Sequence, residues 1–320
     1  MSKGALMTRV LFATAVAACA ISLTSCQSGS IAASTMGGRP TVLRYCYTST
    51  SEDPGAAVRR IEPFQRYMER TLHVRVDAVR TSGYAGVIEA FRSHKVDLAS
   101  ISPFSYVLAS EKADIEALVM RGNAQGEPGE YTGVLAVPGN SPLRSIDDVI
   151  AHARDLTISF VDPASTSGFL AQNFYLQSRG IDSQKDFRKM VFSMDHMASL
   201  MTLKAGKVDV AACMQRLIDG YLANGKLKPG DVRVLWTSPP MPNQPVAIRK
   251  DFPASFKEEI RRAYLEMHLK DPEAFAAQNL RAKAFRLPGV QLPYVAASDV
   301  MFDGLRQMAR GVKNLSLLEH

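Results

Sequence analysis

Three consecutive hydroxyl side chains are the part of this sequence best suited to chemistry. The stretch DPASTSGFL places Ser165, Thr166 and Ser167 directly before Gly168, between a strand-like run and a helix-like run. Amide N–H groups in the first turn of a helix lack intrahelical acceptors and carry partial positive charge, so such a helix start can bind a tetrahedral oxyanion. The hydroxyls would add donors there, and Gly168 would let a ligand approach the backbone. We therefore predict an anion site at residues 165–168.

Two other roles for these hydroxyls remain open. Ser and Thr favour the N-cap of any helix, although one cap needs only one hydroxyl. A serine hydrolase would combine Ser165 or Ser167 with His196 and Asp195, but the sequence lacks the G-x-S-x-G turn that exposes such a nucleophile. Adjacent residues also generally diverge in direction, so Asp195 and His196 are poorly placed to act as one relay. We expect a binding protein rather than an enzyme.

Signatures of several other chemistries are missing from the sequence. It contains no G-x-x-x-x-G-K-[ST] loop, no H-E-x-x-H pattern and no G-x-G-x-x-G after a strand. Cys46 and Cys213 have no second cysteine or histidine at metal-ligand spacing, so we expect no metal and no cofactor. Two buried free thiols are the favoured state, and a disulfide between them remains open in an oxidising compartment.

The elements that must position these residues alternate between strands and helices from Thr41 onward. VLRYCYT, HVRVDAVR, KVDLASIS, DLTISFVD and KMVFSM read as strands, and VRRIEPFQRYMERTL reads as an amphipathic helix. GEYTGVLAVPG reads as one long strand. Such alternation is typical of parallel sheets with helices on both faces, which predicts an α/β fold. The similar segments KVDLASIS and KVDVAACM each end a helix-to-strand unit, one in each half of the sequence. We therefore expect two similarly built lobes.

Length and composition agree with two lobes. The chain has 320 residues, of which 46% are apolar, enough for two cores. Its formal charge is +7, but Lys and Arg are spread along the chain, which argues against a nucleic-acid partner. We predict lobe 1 at residues 41–133, lobe 2 at 134–238, and a return at 239–320 through a proline-rich crossing and C-terminal helices.

The beginning of the sequence is typical of an exported protein. Lys3 and Arg9 precede an apolar run, residues 10–23, that is too short for a permanent membrane span. The run leads into LTSC, which resembles the bacterial lipobox, so we predict a lipoprotein signal peptide at residues 1–26 with Cys26 lipidated. An ordinary cleaved signal is the alternative. Residues 27–40, small and polar, would form a flexible tether that holds the protein at the periplasmic side of the membrane.

Five ordered motifs support a family resemblance. They are SGYAGVIEAF, KVDLASISPFSY, DPASTSG, DHMASLMTLKAGKVDVAA and WTSPPMPNQPVAIRKD. Over about residues 42–295 the sequence resembles the phosphonate, phosphite and phosphate-type substrate-binding proteins of bacterial ABC importers. The resemblance implies a two-lobed periplasmic-binding-protein fold, type II-like, that closes on a ligand in the cleft between its lobes.

The resemblance also implies the residues that hold the ligand. Together with the backbone argument for Gly168, it gives seven ligand-binding positions: Tyr84, Tyr131, Ser165, Thr166, Ser167, Gly168 and His196. The hydroxyl of Tyr84 would reach the anion from the opposite lobe. A histidine that faces an oxyanion can donate a hydrogen bond, and its charged form would be favoured there.

Two positions depart from the family pattern and bear on specificity. Members that bind aminoalkyl phosphonates resemble one another in placing carboxylates where this sequence has Arg216 and Gln244. A ligand ammonium beside Arg216 would be repelled, at a cost of about 1 kcal/mol or more. We therefore predict that the ligand is not an aminoalkyl phosphonate. If Arg216 instead points to solvent, Asp219 and Asp195 are substitute carboxylates.

The sequence thus predicts an ABC-transporter substrate-binding protein. It would capture a phosphonate or phosphite-like oxyanion between two lobes and deliver it to permease subunits in the inner membrane. Three alternatives remain open, namely a binding protein for another small anion, a sensory component, and an exported serine hydrolase.

Overall fold

Two β-sheets, one of six strands and one of five, form the framework of the protein. The computed structural model describes residues 35–36, 39–48, 54–278 and 292–313. The predicted signal peptide at 1–26, with Cys26, lies outside the described residues. We call the six-stranded sheet with its helices lobe 1 and the five-stranded sheet with its helices lobe 2.

The strands of the described chain are the following: β1 (Thr35–Met36), β2 (Arg39–Pro40), β3 (Val42–Thr48), β4 (Arg75–Thr81), β5 (Leu98–Ser100), β6 (Ile115–Arg121), β7 (Glu130–Tyr131), β8 (Gly133–Pro138), β9 (Thr157–Phe160), β10 (Lys189–Phe192), β11 (Val210–Met214), β12 (Val232–Thr237), β13 (Met241–Pro242), β14 (Pro245–Arg249) and β15 (Tyr294–Ala296). The α-helices are α1 (Pro54–Leu72), α2 (Gly83–Arg92), α3 (Pro103–Lys112), α4 (Ile146–Ala151), α5 (Ala171–Ser178), α6 (His196–Lys204), α7 (Gln215–Ala223), α8 (Ala254–Lys270), α9 (Pro272–Ala277) and α10 (Asp303–Gly311).

Both sheets are mixed rather than parallel. The sheet of lobe 1 has the order β15-β6-β14-β5-β3-β4, in which β3 is parallel to β4 and β5 while β14 is antiparallel to β5 and β6. The sheet of lobe 2 has the order β10-β9-β11-β8-β12, in which β9 is parallel to β10 and β11 while β8 is antiparallel to β11 and β12. The α/β class is confirmed, but the expectation of parallel sheets is wrong at β8, β12, β14 and β15.

The chain passes between the lobes twice. The first crossing contains β7, the second contains β13, and the two pair with each other. β7 and β13 form a two-stranded antiparallel sheet in which Tyr131 lies opposite Met241. The expected long strand at residues 129–139 is therefore two strands, because Thr132 separates β7 from β8. The lobe boundaries at 133/134 and 238/239 remain a prediction.

Apolar periodicity explains the helices that cover the sheets. In α1 the buried side chains of Ile61, Phe64, Met68 and Leu72 recur every three or four residues and so form one stripe. They belong to a core that also holds Tyr264 of α8. A second core is continuous across the two lobes, since it includes side chains of both sheets. The two lobes are therefore packed against each other.

Local sequence signals set several helix starts. Ser145 caps α4 with a capping box completed by Asp148, and α3 begins at Pro103. Part of the predicted tether is structured, because Arg39 in β2 forms an ion pair with Glu259 of α8 at 2.7 Å. Cys46 and Cys213 are buried and free.

Candidate functional site

The hydroxyl stretch lies where β9 leads into α5, and its first serine caps the helix. Ser165 Oγ accepts a hydrogen bond from the Gly168 amide at 3.1 Å. Ser165 therefore acts as the N-cap of this helix, which was the alternative role for the hydroxyls. The Gly168 amide already has an acceptor in Ser165 Oγ. The Ser165 hydroxyl still has its own proton to donate.

The helix begins with a π-helical turn, Thr166–Leu170, before α5. The Leu170 amide donates to the Ser165 carbonyl at 3.0 Å, five residues back, so this turn is one residue wider than an α-helical turn. The sequence predicted a plain helix start here. Such wide turns are frequent at functional sites, because they redirect side chains.

Thr166 joins the two lobes. Its Oγ1 lies 2.9 Å from Ser102 Oγ and accepts a hydrogen bond of 2.8 Å from the Phe104 amide, at the start of α3 in lobe 1. Nearby, Ser105 Oγ donates to the Ala164 carbonyl at 2.9 Å. The hydroxyl of Thr166 is therefore at the junction of the lobes, where a ligand that contacts both would lie.

Ser167 contacts the first crossing between the lobes. It is buried, and its side chain is in hydrogen-bonding reach of the Tyr131 hydroxyl, which also reaches Thr166. Burial raises the pKa of the Tyr131 phenol, while Arg216, Ser167 and Thr166 act in the opposite direction. Tyr131 is therefore a neutral donor beside the two hydroxyls.

Gly133 allows this close approach of the first crossing. A Cβ on Gly133 would come within 2.9 Å of the Ser167 carbonyl oxygen and 3.0 Å of the Ser167 Cα, so only glycine fits. The Ser167 carbonyl in turn accepts a hydrogen bond of 2.6 Å from Gln172 Nε2. Gly133 has no local sequence signal of this role, because the role depends on a contact that is distant along the chain.

Gly168 serves packing rather than ligand approach. A Cβ at this position would collide with the side chain of Val161, which follows β9. The Val161 amide also donates to the Gly168 carbonyl at 2.9 Å. The expectation that Gly168 opens the backbone to a ligand is therefore corrected, because the space beside its Cα is filled by Val161.

His196 begins α6 and is buried with a defined proton position. Its Nδ1 accepts a hydrogen bond of 3.2 Å from the Met214 amide, so the proton of the neutral ring is on Nε2. Burial and the nearby Arg216 lower the pKa of His196 to about 3. The ring is thus a neutral donor, whereas the sequence favoured its charged form.

The same contacts argue against a serine hydrolase. In a catalytic triad the histidine Nδ1–H donates to a carboxylate, whereas His196 Nδ1 is an acceptor. Asp195 instead caps α6 by accepting from the Ala198 amide at 2.7 Å. Asp219 accepts from Gln215 Nε2 at 2.8 Å. Neither carboxylate is therefore positioned as a relay.

Arg216 points into the group of predicted site residues. It lies in the first turn of α7, with its Cζ 4.7 Å from the centroid of the Tyr131 ring. Burial lowers the pKa of its guanidinium, and the Tyr131 and Tyr84 phenols are close enough to act on the charge. Tyr84, partly buried in the first turn of α2, thus lies in lobe 1 within electrostatic range of Arg216.

Asn243, not Gln244, is the residue of the second crossing that reaches Arg216. Arg216 Nη1 donates to Asn243 Oδ1 at 3.0 Å, and Asn243 is buried. Gln244 is exposed and is not brought into the group. Sequence reasoning missed Asn243 by one position, because the proline-rich crossing has no periodicity that fixes which side chains point inward.

The described residues contain neither a metal-binding cluster nor a membrane-spanning helix. Among them, no group of three or more His, Cys, Asp or Glu side chains is arranged to hold a metal ion. No helix in the described ranges has the length and hydropathy needed to cross a membrane.

The sequence matches one family model over most of its length. The model is described as the periplasmic substrate-binding protein of a phosphonate ABC transporter, and it matches residues 47–287. The phosphonates-binding periplasmic protein of Escherichia coli K12 is 31% identical over 257 residues, which cover 79% of this chain and 73% of that protein.

Two solved structures share the fold. A binding protein component of an ABC phosphonate transporter from Pseudomonas aeruginosa has a TM-score of 0.71 at 23% identity, covering 86% of this chain and 87% of its own. PhnD1 from Prochlorococcus marinus, solved in complex with methylphosphonate, has a TM-score of 0.69 at 19% identity, covering 84% and 97%. The expected two-lobed periplasmic-binding-protein fold is confirmed.

Proposed function

Since this chain belongs to the family of periplasmic phosphonate-binding proteins of ABC transporters, we propose that it captures a phosphonate or phosphite-like oxyanion between its lobes and delivers it to a permease. It is a periplasmic transport protein and not an enzyme. The proposed ligand-binding residues are Tyr84, Tyr131, Ser165, Thr166, Ser167 and His196, with Gly168 supporting the turn that carries the hydroxyls.

The observation that carries this proposal is the meeting of hydroxyls from both lobes at Thr166. Its Oγ1 lies 2.9 Å from Ser102 Oγ of lobe 1, and the Tyr131 hydroxyl of the crossing reaches it as well. Neutral O–H donors bind an oxyanion without fixing it as a permanent ion pair, which suits a protein that must release its ligand. An anion that contacts both lobes would stabilise their closed arrangement.

The finer proposal is that aminoalkyl phosphonates are poor ligands. Arg216 projects toward Tyr131 and Tyr84 rather than into solvent. A ligand ammonium in this group would meet a guanidinium, and Asp195 and Asp219 are engaged elsewhere. Repulsion between like charges is stronger away from bulk water, so it should lower the affinity for any ligand that carries an ammonium.

Calorimetric titration of the purified protein tests this function. We expect phosphite, methylphosphonate or both to bind more tightly than sulfate, and 2-aminoethylphosphonate to bind more weakly than methylphosphonate. Thr166→Val should weaken binding of the preferred anion by about 1–3 kcal/mol, the usual effect of removing a donor to a charged group.

Ser105→Ala is the matched control for Thr166→Val. It removes a hydrogen bond between the lobes that does not involve Thr166, and it leaves the hydroxyls at residues 165–167 intact. A comparable loss in both variants would assign the effect to lobe closure rather than to anion contact. A preference for sulfate would favour a different class of anionic ligand. If the protein hydrolyses p-nitrophenyl esters and Ser167→Ala abolishes that activity, the serine-hydrolase alternative would be favoured instead.

A lipid anchor at Cys26 is also proposed. Its support is the LTSC sequence after an apolar run. Labelling of cells with radioactive palmitate should mark the protein, and Cys26→Ala should remove the label. Unchanged labelling in that variant would contradict the anchor.

A further inference from the structure

Arg216 is a cation held in the site by neutral partners. Its Nη1 donates to Asn243 Oδ1 at 3.0 Å, and its Nε contacts Met214 Sδ at 3.4 Å. Within the described chain, neither Asp nor Glu forms an ion pair with it, and its Nη2 makes no hydrogen bond. An arginine has five N–H donors, so most of the donors of Arg216 are available to a ligand.

Three other partly buried arginines of this protein form ion pairs with carboxylates. Arg44 and Arg249 both form ion pairs with the buried Asp97, at 2.5 Å and 3.2 Å. Arg306 forms an ion pair with Asp299 at 2.6 Å. Withdrawing a charge from water is costly unless an opposite charge compensates it. Arg233, which is partly buried and forms no ion pair within the described chain, instead donates to three backbone carbonyl oxygens. In the part of the chain that the structure describes, Arg216 has neither a carboxylate nor such a set of carbonyls, so a ligand anion is well suited to supply its counter-charge.

The second crossing holds the guanidinium in a fixed place. The Asn243 amide nitrogen donates to the Gly129 carbonyl at 2.8 Å, and its Nδ2 donates to the Arg121 carbonyl at 3.3 Å. The backbone of Asn243 is thus bonded to the loop before β7 and its side chain to β6 of lobe 1, while Arg216 belongs to lobe 2. The side chain of Arg216 is therefore positioned before any ligand arrives, which reduces the entropy cost of binding.

Tyr131 relates this cation to the hydroxyl group. The hydroxyl of Tyr131 reaches Thr166 and Ser167, and the Cζ of Arg216 lies 4.7 Å from the centroid of the same ring. The hydroxyl donors of Thr166 and Ser167 and the guanidinium donors of Arg216 are therefore both next to the Tyr131 side chain. His196 is also close to Arg216, and its Nε2–H is a further neutral donor on lobe 2. A short molecule with an anionic group at each end would satisfy both sets.

We propose that the preferred ligand is a carboxyalkyl phosphonate, whose phosphonate binds at Thr166 and Ser167 and whose carboxylate pairs with Arg216. This inference rests on the proposed function and adds the class of substrate. A carboxylate fits because the planar guanidinium can donate two parallel hydrogen bonds to its two oxygens. The simplest probe is phosphonoacetate, in which one carbon separates the two anions.

Titration calorimetry with phosphonoacetate and methylphosphonate tests the inference. The wild-type protein should bind phosphonoacetate about tenfold to a hundredfold more tightly, the range expected for charge-assisted hydrogen bonds. Arg216→Met should weaken the binding of phosphonoacetate by a larger factor than that of methylphosphonate, and so remove most of this preference. Arg216→Lys should retain only part of it, because a lysine cannot donate the planar pair of bonds.

Controls make each outcome decisive. Arg188→Met removes an exposed arginine of lobe 2 and should change neither affinity. An equal loss of both ligands in Arg216→Met would mean that Arg216 contacts the phosphonate itself, and would overturn the inference. Equal affinity of the wild-type protein for the two ligands would overturn it without any variant. Binding of neither ligand would instead count against the proposed phosphonate function.

Discussion

At the scale of single residues, folding strongly alters the ionisation of His196. Its pKa is about 3 in the folded protein, against an ordinary value of 6.5, because burial and Arg216 both disfavour the imidazolium. The Met214 amide, which donates to Nδ1, further requires an unprotonated nitrogen. The folded protein therefore keeps the His196 ring neutral at any pH well above about 3.

The altered ionisation of His196 predicts a pH-dependent stability. Between about pH 6.5 and pH 3 the unfolded chain binds a proton at this position and the folded chain does not, so the free energy of unfolding falls as the pH falls. The loss from this one group approaches about 1.4 kcal/mol per pH unit. Above about pH 6.5 the contribution is constant.

Replacing His196 by glutamine tests this, because the Gln oxygen can still accept from the Met214 amide but does not titrate. Urea unfolding at about pH 7 and about pH 5 should show a smaller loss of stability in His196→Gln than in the wild-type protein. Equal losses in the two proteins would mean that the ring is protonated, or solvated, in the folded state.

Individual site residues differed in how well sequence could locate them. Thr166 and Ser167 follow from residue type and spacing, because donors at a strand-to-helix junction are a local feature. The capping role of Ser165 was an open alternative that only geometry decides. Gln244 was chosen where Asn243 points inward, since no repeating pattern fixes side-chain direction in a segment with so many prolines.

At the scale of elements, the π-helical turn depends on Gly168 packing against Val161. Gly168→Ala should destabilise the protein by about 1–3 kcal/mol, the usual effect of overpacking a core. Val161→Ala in the same chain should recover part of the loss by removing the colliding methyl groups. Thermal unfolding measures both variants, and recovery in the double variant separates the collision from a general defect.

A matched glycine in α10 provides the control for Gly168. Gly304 is exposed, and a Cβ there would meet nothing within 4 Å. Gly304→Ala should therefore leave the stability unchanged or raise it by up to about 1 kcal/mol, through helix propensity. If Gly168→Ala is as stable as Gly304→Ala, the turn does not need a glycine.

Strand and helix positions were predicted well, and strand directions were not. The period of apolar residues reports which side of an element is buried, as in α1, but carries no information on whether neighbouring strands run parallel. Of the antiparallel strands, β8, β12 and β14 adjoin the crossings. Their direction follows from the route of the chain between lobes, which is a long-range property.

At the scale of the whole molecule, the two lobes form one packed unit joined by two short crossings. A single apolar core extends across both sheets, and the direct contacts include Ser102 with Thr166 and Ser105 with the Ala164 carbonyl. The echo between KVDLASIS and KVDVAACM predicted two similar lobes. It could not predict how tightly they meet, since that depends on side chains far apart along the chain.

The two buried cysteines make this protein convenient to convert into an optical sensor. Burial raises the pKa of the Cys46 thiol to about 11 and that of Cys213 to about 12, so neither readily forms the thiolate that attacks maleimide dyes. Gln244 is exposed and adjoins Asn243 in the second crossing. In a chain that begins after Cys26, a fluorophore attached through Gln244→Cys would label one point beside the joint, and its emission would follow the lobes as they move.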